Sequence, residues 1–413
     1  MLTLTYEYQI RPNRQQEEQM FFYLETCRKV YNYALAERKA WINSRSCAVN
    51  ACSIRHEYIM SADAPKPSYH WQCKSLAAAK KDIPELASPH THVLQQALRT
   101  LEASFVAMWE RGHGFPRFKK SGRMRSFLFP QMGVNPVQGN KLKLPKIGTV
   151  KMRLSRPIPE GFELKQVRIV KKASGWFAML CLQLGVSVPD AMPHGHSLGI
   201  DLGLLSFLAT SDNETIARPK FFVDAQRKLK LLQKRVSSKI KGSNNWRKAQ
   251  AKVSLLHEHI SNTRIDFHFK TAHHLCNSAG MIFAEDLNLK AMSRGMLCKH
   301  TLDAGFGQFL NILKWVCSKR DVFFAKVDAN FTSQTCPNCQ THTGKKDLNE
   351  RVHSCPHCGY KTDRDVAAAQ IVMQRGIVAV GHTVLKLSEG KDISLPMKKE
   401  SPSKAKTSAA RLA

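Results

Sequence analysis

The sequence predicts a multidomain α/β protein: a small N-terminal sheet or β-barrel carrying a helical insert, then a second strand-and-helix domain with an inserted zinc ribbon. Three observations carry that expectation. The chain has 413 residues, too many for one simple core, so two or three domains are expected. Hydrophobic periodicity is helical over residues 15–43 and 91–111 and becomes strand-like over 126–188. Two Cys-x-x-Cys pairs, Cys336/Cys339 and Cys355/Cys358, are separated by fifteen residues. At that spacing four thiolates can grip one tetrahedral Zn²⁺.

Composition narrows the function classes. There are 63 Lys plus Arg against 32 Asp plus Glu, a net charge of +31 with histidine neutral. So large a surplus repels itself unless a polyanion binds it, and each phosphate it neutralises releases a counterion. Nucleic acid is therefore the expected partner. No segment combines a basic face with a broad apolar one, which argues against a membrane surface. Twelve cysteines are present. The eight outside the paired motifs (Cys27, Cys47, Cys52, Cys73, Cys181, Cys276, Cys298, Cys317) are scattered among apolar neighbours, as reduced thiols would be. The N-terminus alternates like a strand and lacks a signal-peptide core, and no apolar run approaches a membrane span. A soluble, cytoplasmic and nucleoid-associated protein is expected.

In chain order, residues 2–10 read as a strand ended by Pro12, and 15–43 as a helix with Phe21, Leu24, Val30, Tyr31 and Leu35 near one face. Residues 44–67 are less regular. Cys47, Cys52, His56, His70 and Cys73 fall in or just after them, at a spacing that fits no common metal site. Residues 91–111 return to helix, with Val93, Ala97, Leu101, Phe105 and Met108 on a core-facing stripe. The segment 112–120, GHGFPRFKK, interleaves Phe115 and Phe118 with Arg117, Lys119 and Lys120; such a loop suits bases and phosphates, or is simply a basic surface loop. Five alternating runs over 126–188 read as strands that the first strand joins.

Residues 189–196 read as a linker. Then SLGIDLGLLSFLAT (197–210) places Asp201 in the middle of an apolar strand, with a second strand after a turn at Gly203. A carboxylate there is costly without a compensating cation or hydrogen bonds. Residues 220–270 hold thirteen lysines or arginines against three acids. Leu229, Leu232, Val236 and Ile240 form one apolar stripe, and Ala249, Val253, Leu256 and Ile260 another after a turn at 242–245. This predicts a helical hairpin whose cationic outer faces (Lys228, Lys234, Arg235, Lys239, Arg247, Lys248) suit a phosphate backbone. AGMIFAEDLN (279–288) reads as a buried strand ending in Glu285, with Asp286 on the opposite face as a cap for the next segment. Residues 308–319 read as a helix and 321–328 as a strand. Asp365, seven residues after Cys358, opens an alanine-rich helix, with Thr362 as its expected cap. Residues 389–413 have the composition of a disordered tail.

Asp201, Glu285 and Asp365 are the candidate catalytic acids. Three carboxylates suit Mg²⁺ or Mn²⁺, and two such ions can promote phosphodiester hydrolysis. The chain has no Walker loop and no convincing serine or cysteine nucleophile set.

GIDLG, AEDLNLKAM, TSQTCPNC with CPHCGY, DRDVAAA, RKVYNYAL and GFPRFKK together resemble the TnpB (OrfB) family of bacterial insertion sequences, relatives of the type V CRISPR effectors. The likeness spans nearly the whole chain. It implies a RuvC-like nuclease domain of RNase H topology over 191–331 and 360–388, interrupted by a zinc ribbon at 332–359. It also implies a β-barrel (wedge) domain over 1–14 and 112–190 and a helical recognition insert over 15–111. The implied activity is that of an RNA-guided DNA endonuclease. A guide RNA from the element's own end would pair with double-stranded target DNA, and Asp201, Glu285 and Asp365 would hold the catalytic Mg²⁺ or Mn²⁺. The implied zinc is structural. Two positions depart from the family: Ala367 stands where Asn is usual, and Gln340 where Gly is common. A non-cleaving guided regulator of transposition and a transposase proper are the alternative expectations.

Overall fold

The computed structural model describes residues 2–46, 63–133, 136–347 and 349–381. The chain divides into two compact units, residues 1–189 with 227–261, and residues 190–226 with 262–413. Among the described residues no helix is long and apolar enough to cross a membrane. Cys47, Cys52, His56 and the expected tail lie outside the described residues.

The first unit is built on β1 (Leu2–Arg11), β2 (Ser126–Phe129), β3 (Val137–Gln138), β4 (Lys141–Leu144), β5 (Gly148–Arg153), β6 (Glu163–Lys172) and β7 (Gly175–Leu184). They form one antiparallel sheet in the order β2-β6-β7-β1-β5-β4-β3. The N-terminal strand does join, pairing with β7 from Leu2–Leu184 to Ile10–Trp176. The expected barrel stays open, because among the described residues β2 and β3 do not pair with each other. These edges are four and two residues long, too short to carry a closing ladder.

Against the sheet pack α1 (Arg14–Ser46) and α4 (Thr91–Arg111), with α2 (Tyr69–Asp82) and α3 (Pro84–Ala87) between them in the chain and α2 packed on α3 and α4. Met20, Tyr23, Leu35, Leu94, Leu98 and Phe105 share one apolar cluster with Phe129, Val167 and Leu180 of the strands. A fully buried side chain of this size contributes ~1.5–3 kcal/mol. Helix α2 has no counterpart in the sequence reading, since it buries only Gln72 and Leu76. It is held instead by polar bonds: Ser68 accepts from the Trp71 N–H, and Gln72 donates to the Ala34 carbonyl at 3.0 Å. His70 is exposed and Cys73 half-buried on this helix.

Two helices, α5 (Phe221–Ser237) and α6 (Asn244–Ser278), follow in the basic segment. Leu229, Val253, Leu256 and Ile260 are buried as expected. Ile240 is not: α5 ends at Ser237, and Ile240 is 83% exposed beyond it.

The second unit holds β8 (Ser197–Leu202), β9 (Ser206–Thr210), β10 (Thr215–Ala217), β11 (Met281–Glu285) and β12 (Phe323–Val327), in the order β10-β9-β8-β11-β12. The first three strands are antiparallel, and β11 runs parallel to both β8 and β12. Between β11 and β12 come α7 (Leu289–Met292), α8 (Cys298–Ala304) and α9 (Phe306–Lys319). After β12 come a hairpin of β13 (Val352–Ser354) and β14 (Lys361–Asp363), and α10 (Arg364–Ala379). One face of the sheet, with Leu198, Ile200, Ile282 and Ala284, packs on Leu275 of α6 and Phe309 and Leu313 of α9. The other, with Met281 and Phe283, packs on Val372 of α10.

Candidate active site and four-cysteine cluster

Strand alternation sets which acids can meet. Gly199 faces α10 so closely that a β-carbon on it would come 2.0 Å from the Ala369 carbonyl oxygen. Asp201, two residues on, faces the same way. Phe283 also faces α10, and Glu285 follows it by the same rule. The parallel register pairs Ala284 with Ile200, so one step further Glu285 lies beside Asp201. Asp365 sits in the first turn of α10. A β-carbon on Gly203, at the end of β8, would lie 3.8 Å from Asp365 Oδ2. The fold thus brings three acids, far apart in sequence, to one end of one sheet face.

Their electrostatics record the proximity. The Asp201 carboxyl is pushed well above the usual range, first by burial and then by the charges of Glu285 and Asp365. Burial also raises Glu285, while Thr332 and Arg375 oppose it. Burial raises Asp365, and Asp363 adds to the rise against Arg351 and Arg364. Glu285 Oε1 is buried with no hydrogen-bond partner among the described residues. A carboxylate oxygen left so is costly unless a cation reaches it.

The capping differs from expectation in two places. Asp363, not Thr362, caps α10: its Oδ1 accepts the Asp365 N–H at 2.8 Å and the Val366 N–H at 3.4 Å. Thr362 is occupied in β14, opposite His353. Asn288, not Asp286, caps α7, accepting the Ala291 N–H at 3.0 Å. Asp286 is exposed and accepts from Lys326 Nζ at 3.0 Å. Ala367 is buried against the unit's interior, 1% exposed. Arg375 and Thr332, the neighbours of Glu285, carried no recognisable signal in a single sequence.

Cys336, Cys339, Cys355 and Cys358 gather so that their sulfurs all lie within 4.8 Å of one another. Among the described residues they are the only set of three or more such side chains drawn that close. Sulfurs of Cys336 and Cys358, and of Cys339 and Cys355, are 3.6 Å apart. The two knuckles match: Gln340 donates to the Cys336 carbonyl at 2.9 Å and Gly359 to the Cys355 carbonyl at 3.0 Å. Both carry positive φ, 61° and 72°. Gln340 reaches Gln374 of α10 through its side chain at 2.6 Å, tying the cysteine cluster to the helix that carries Asp365.

Of the basic residues singled out, Arg117, Lys120, Lys228, Lys234, Arg235, Lys239, Arg247 and Lys248 are exposed. Lys119 is half-buried, its Nζ 4.7 Å from the Tyr31 ring centroid and its N–H donated to Asn32 Oδ1 at 2.8 Å. Phe115 is edge-on to Phe105 of the core.

Three family profiles match the chain. One described as "Probable transposase" (OrfB_IS605) covers residues 180–296, a Cas12f1-like TNB domain covers 306–372, and a helix-turn-helix domain (HTH_OrfB_IS605) covers 1–47. In that last stretch the described residues form one strand and one continuous helix of 33 residues. The chain is 30% identical to the Escherichia coli K12 protein named "Putative RNA-guided DNA endonuclease InsQ", over 96% of both chains. A Streptomyces pristinaespiralis protein with the same designation, lacking the InsQ name, is 28% identical over 91% of this chain and 89% of its own. In fold the chain is similar to Cas12f1 solved by cryo-EM with single-guide RNA and target DNA. That match has a TM-score of 0.52 at 14% identity, covering 87% of this chain and 83% of that one.

Proposed function

Since the chain belongs to the OrfB family of IS605-type elements, whose relatives here are named as RNA-guided DNA endonucleases, we propose that it is one too. It hydrolyses phosphodiesters of guide-matched, double-stranded target DNA at a site built from Asp201, Glu285 and Asp365. The observation that carries this is the convergence of those acids on the α10-facing side of β8 and β11. The strand order, with three antiparallel strands followed by two parallel ones, supports a RuvC-like domain of RNase H topology over 191–331 and 360–388. The open sheet with its helices supports a wedge domain over 1–14 and 112–190 with a recognition insert at 15–111. A chain acting on DNA belongs in the cytoplasm, at the nucleoid.

The residues fit the metals the chemistry needs. The partnerless, buried Glu285 Oε1 and the raised Asp201 carboxyl both call for a cation, and hard oxygen donors select Mg²⁺ or Mn²⁺. Such ions, held by Asp201, Glu285 and Asp365, would acidify the attacking water and stabilise the leaving 3′-oxygen. The chain's part is positional. Asp201 and Glu285 are fixed by neighbouring strands; Thr332 and Arg375 bias Glu285 toward its ionised form. Asp363 fixes the first turn of α10 and thereby aims Asp365. Gly203 leaves the approach to Asp365 Oδ2 free of a side chain. The cysteine cluster fits one Zn²⁺ in four-thiolate coordination, which braces the knuckle that Gln340 ties to α10. The exposed cations of 117–120 and of α5 and α6 bind nucleic-acid phosphates.

The test is cleavage against binding. The protein purified with its RNA should cut a matched target in Mg²⁺ or Mn²⁺, and Asp201→Ala should abolish cutting while target binding survives. Wild-type protein that binds the matched target and leaves it intact in both metals would contradict the reading.

A further inference from the structure

Within the first unit a groove of about 610 Å³ opens where α1, β6 and the first turns of α6 meet. That volume falls in the ~300–1,000 Å³ range of small-ligand sites. Phe21 and Trp246 supply aromatic surface to it. Phe21 is 47% exposed, although it sits edge-on to Trp176 with centroids 5.2 Å apart; the contact fixes the ring and leaves much of it open. Trp246 is half-buried in the first turn of α6, where its backbone N–H is donated to the Ser243 hydroxyl at 3.1 Å. Both rings line the same open space.

The charges are equally ordered. Arg125 and Arg247 line the groove and are exposed. Lys171 lines it too, but its ammonium is engaged by Glu17 at 3.1 Å and lies 5.4 Å from the Phe21 centroid. The acid in the lining, Glu25, is neutralised by Arg28, whose Nε donates to its two oxygens at 3.0 and 2.9 Å. What remains for a ligand is two guanidinium groups and two ring surfaces.

We infer that this groove holds one unpaired nucleotide of the guide RNA, its base stacked on the aromatic surface and its phosphate met by Arg125 and Arg247. Stacking with flanking cations is how single-stranded nucleic acid is gripped without reading sequence. Guanidinium groups match phosphate geometry. RNA rather than the displaced target strand is the occupant we commit to, since RNA recognition works on splayed-out bases, and crosslinking and binding in the absence of target DNA separate the two. An apolar small molecule would leave both arginines unused. The inference rests on the proposed function only for the identity of the RNA.

The test uses the full chain and the RNA that co-purifies with it, sequenced and resynthesised with 4-thiouridine. Crosslinking should map to the peptide containing Trp246. Trp246→Ala should weaken RNA binding roughly five- to hundred-fold, the span of one lost base stack. Trp246→Phe should restore most of that. Ala251→Trp fills the groove without removing a ring or a cation, and should weaken RNA binding comparably while the thermal midpoint holds. Wild-type RNA affinity in Ala251→Trp, or crosslinks that fall only elsewhere, would overturn the inference. If Ala251→Trp also still cuts a matched target, the groove assignment alone fails. If the chain carries no RNA, the proposed function fails with it.

Discussion

Gly376 of α10 lies against Phe283 of β11: a β-carbon on Gly376 would meet the ring's Cγ at 2.1 Å. The counterpart on β8 is Gly199, under the Ala369 carbonyl. These two glycines let α10 sit flat on the strands that carry Asp201 and Glu285, and so decide how close Asp365 comes. Gly376→Ala should destabilise the chain by about 3 kcal/mol, since an inserted methyl group meets a buried ring that cannot yield. Thermal melting checks the stability, and cleavage of a matched target should fall with it. Gly203→Ala, whose added carbon would meet the Ser206 carbonyl oxygen at 3.1 Å, should cost much less stability.

The α10 cap makes a second prediction. Asp363 satisfies the first N–H groups of the helix, so Asp363→Ala should cost about 1 kcal/mol. Its effect on cleavage should be larger than its effect on stability, because Asp365 loses its fixed start. Asp363→Ser should recover most of both. Melting and single-turnover cleavage rates on the same preparations separate the two effects.

Removing the zinc proposed for the four-cysteine cluster should act at a distance. After a chelator has stripped one Zn²⁺ per chain and been removed, Mg²⁺ alone should not return cleavage, and Zn²⁺ added back beside Mg²⁺ should. Metal analysis should give one equivalent per chain, falling in Cys336→Ser. At the knuckle, Gln340→Val should be less stable than Gln340→Gly by about 1–2 kcal/mol, because a β-branched residue tolerates the left-handed backbone worst.

His268 carries a pH prediction. It is fully buried, stacked on Phe207 and bonded through Nε2 to the Ala304 carbonyl at 3.0 Å. Burial pushes it down to about 4, against the backbone bond, with Arg264 adding to the fall. A histidine depressed in the fold stays neutral where the unfolded chain is already protonated. Its stabilising effect is complete above the unfolded value of ~6.5 and is lost as pH falls from there toward 4. The loss is at most about 3 kcal/mol. Urea midpoints from pH 7.5 to 4.5 should fall less steeply in His268→Gln than in the wild type.

The sequence made the regular parts legible where one physical signal dominated. Strand β7 alternates buried and half-buried residues along its length, and its WFAMLCLQL pattern is visible directly. The paired cysteines state their geometry by spacing. Asp201 and Glu285 stood out because a carboxylate in an apolar strand demands a reason. What was not legible depended on side-chain bonds rather than pattern. Helix α2 is fastened by Ser68 and Gln72, with too few apolar residues for a stripe. Two acids and a threonine compete around the start of α10, and only the backbone angle at Asp363 decides which one caps it. Ile240 fits the spacing of the stripe before it, yet the helix stops three residues earlier. The open edge of the first sheet follows from how short β2 and β3 are, which alternation does not reveal.

The most direct measurement is the position of Mn²⁺ in the ribonucleoprotein, located by anomalous scattering from crystals grown with a matched target. Density is expected within ~2.0–2.2 Å of carboxylate oxygens from Asp201, Glu285 and Asp365 together, and should disappear in Asp201→Ala. Manganese bound elsewhere, with these three side chains unligated while the target is cut, would contradict this.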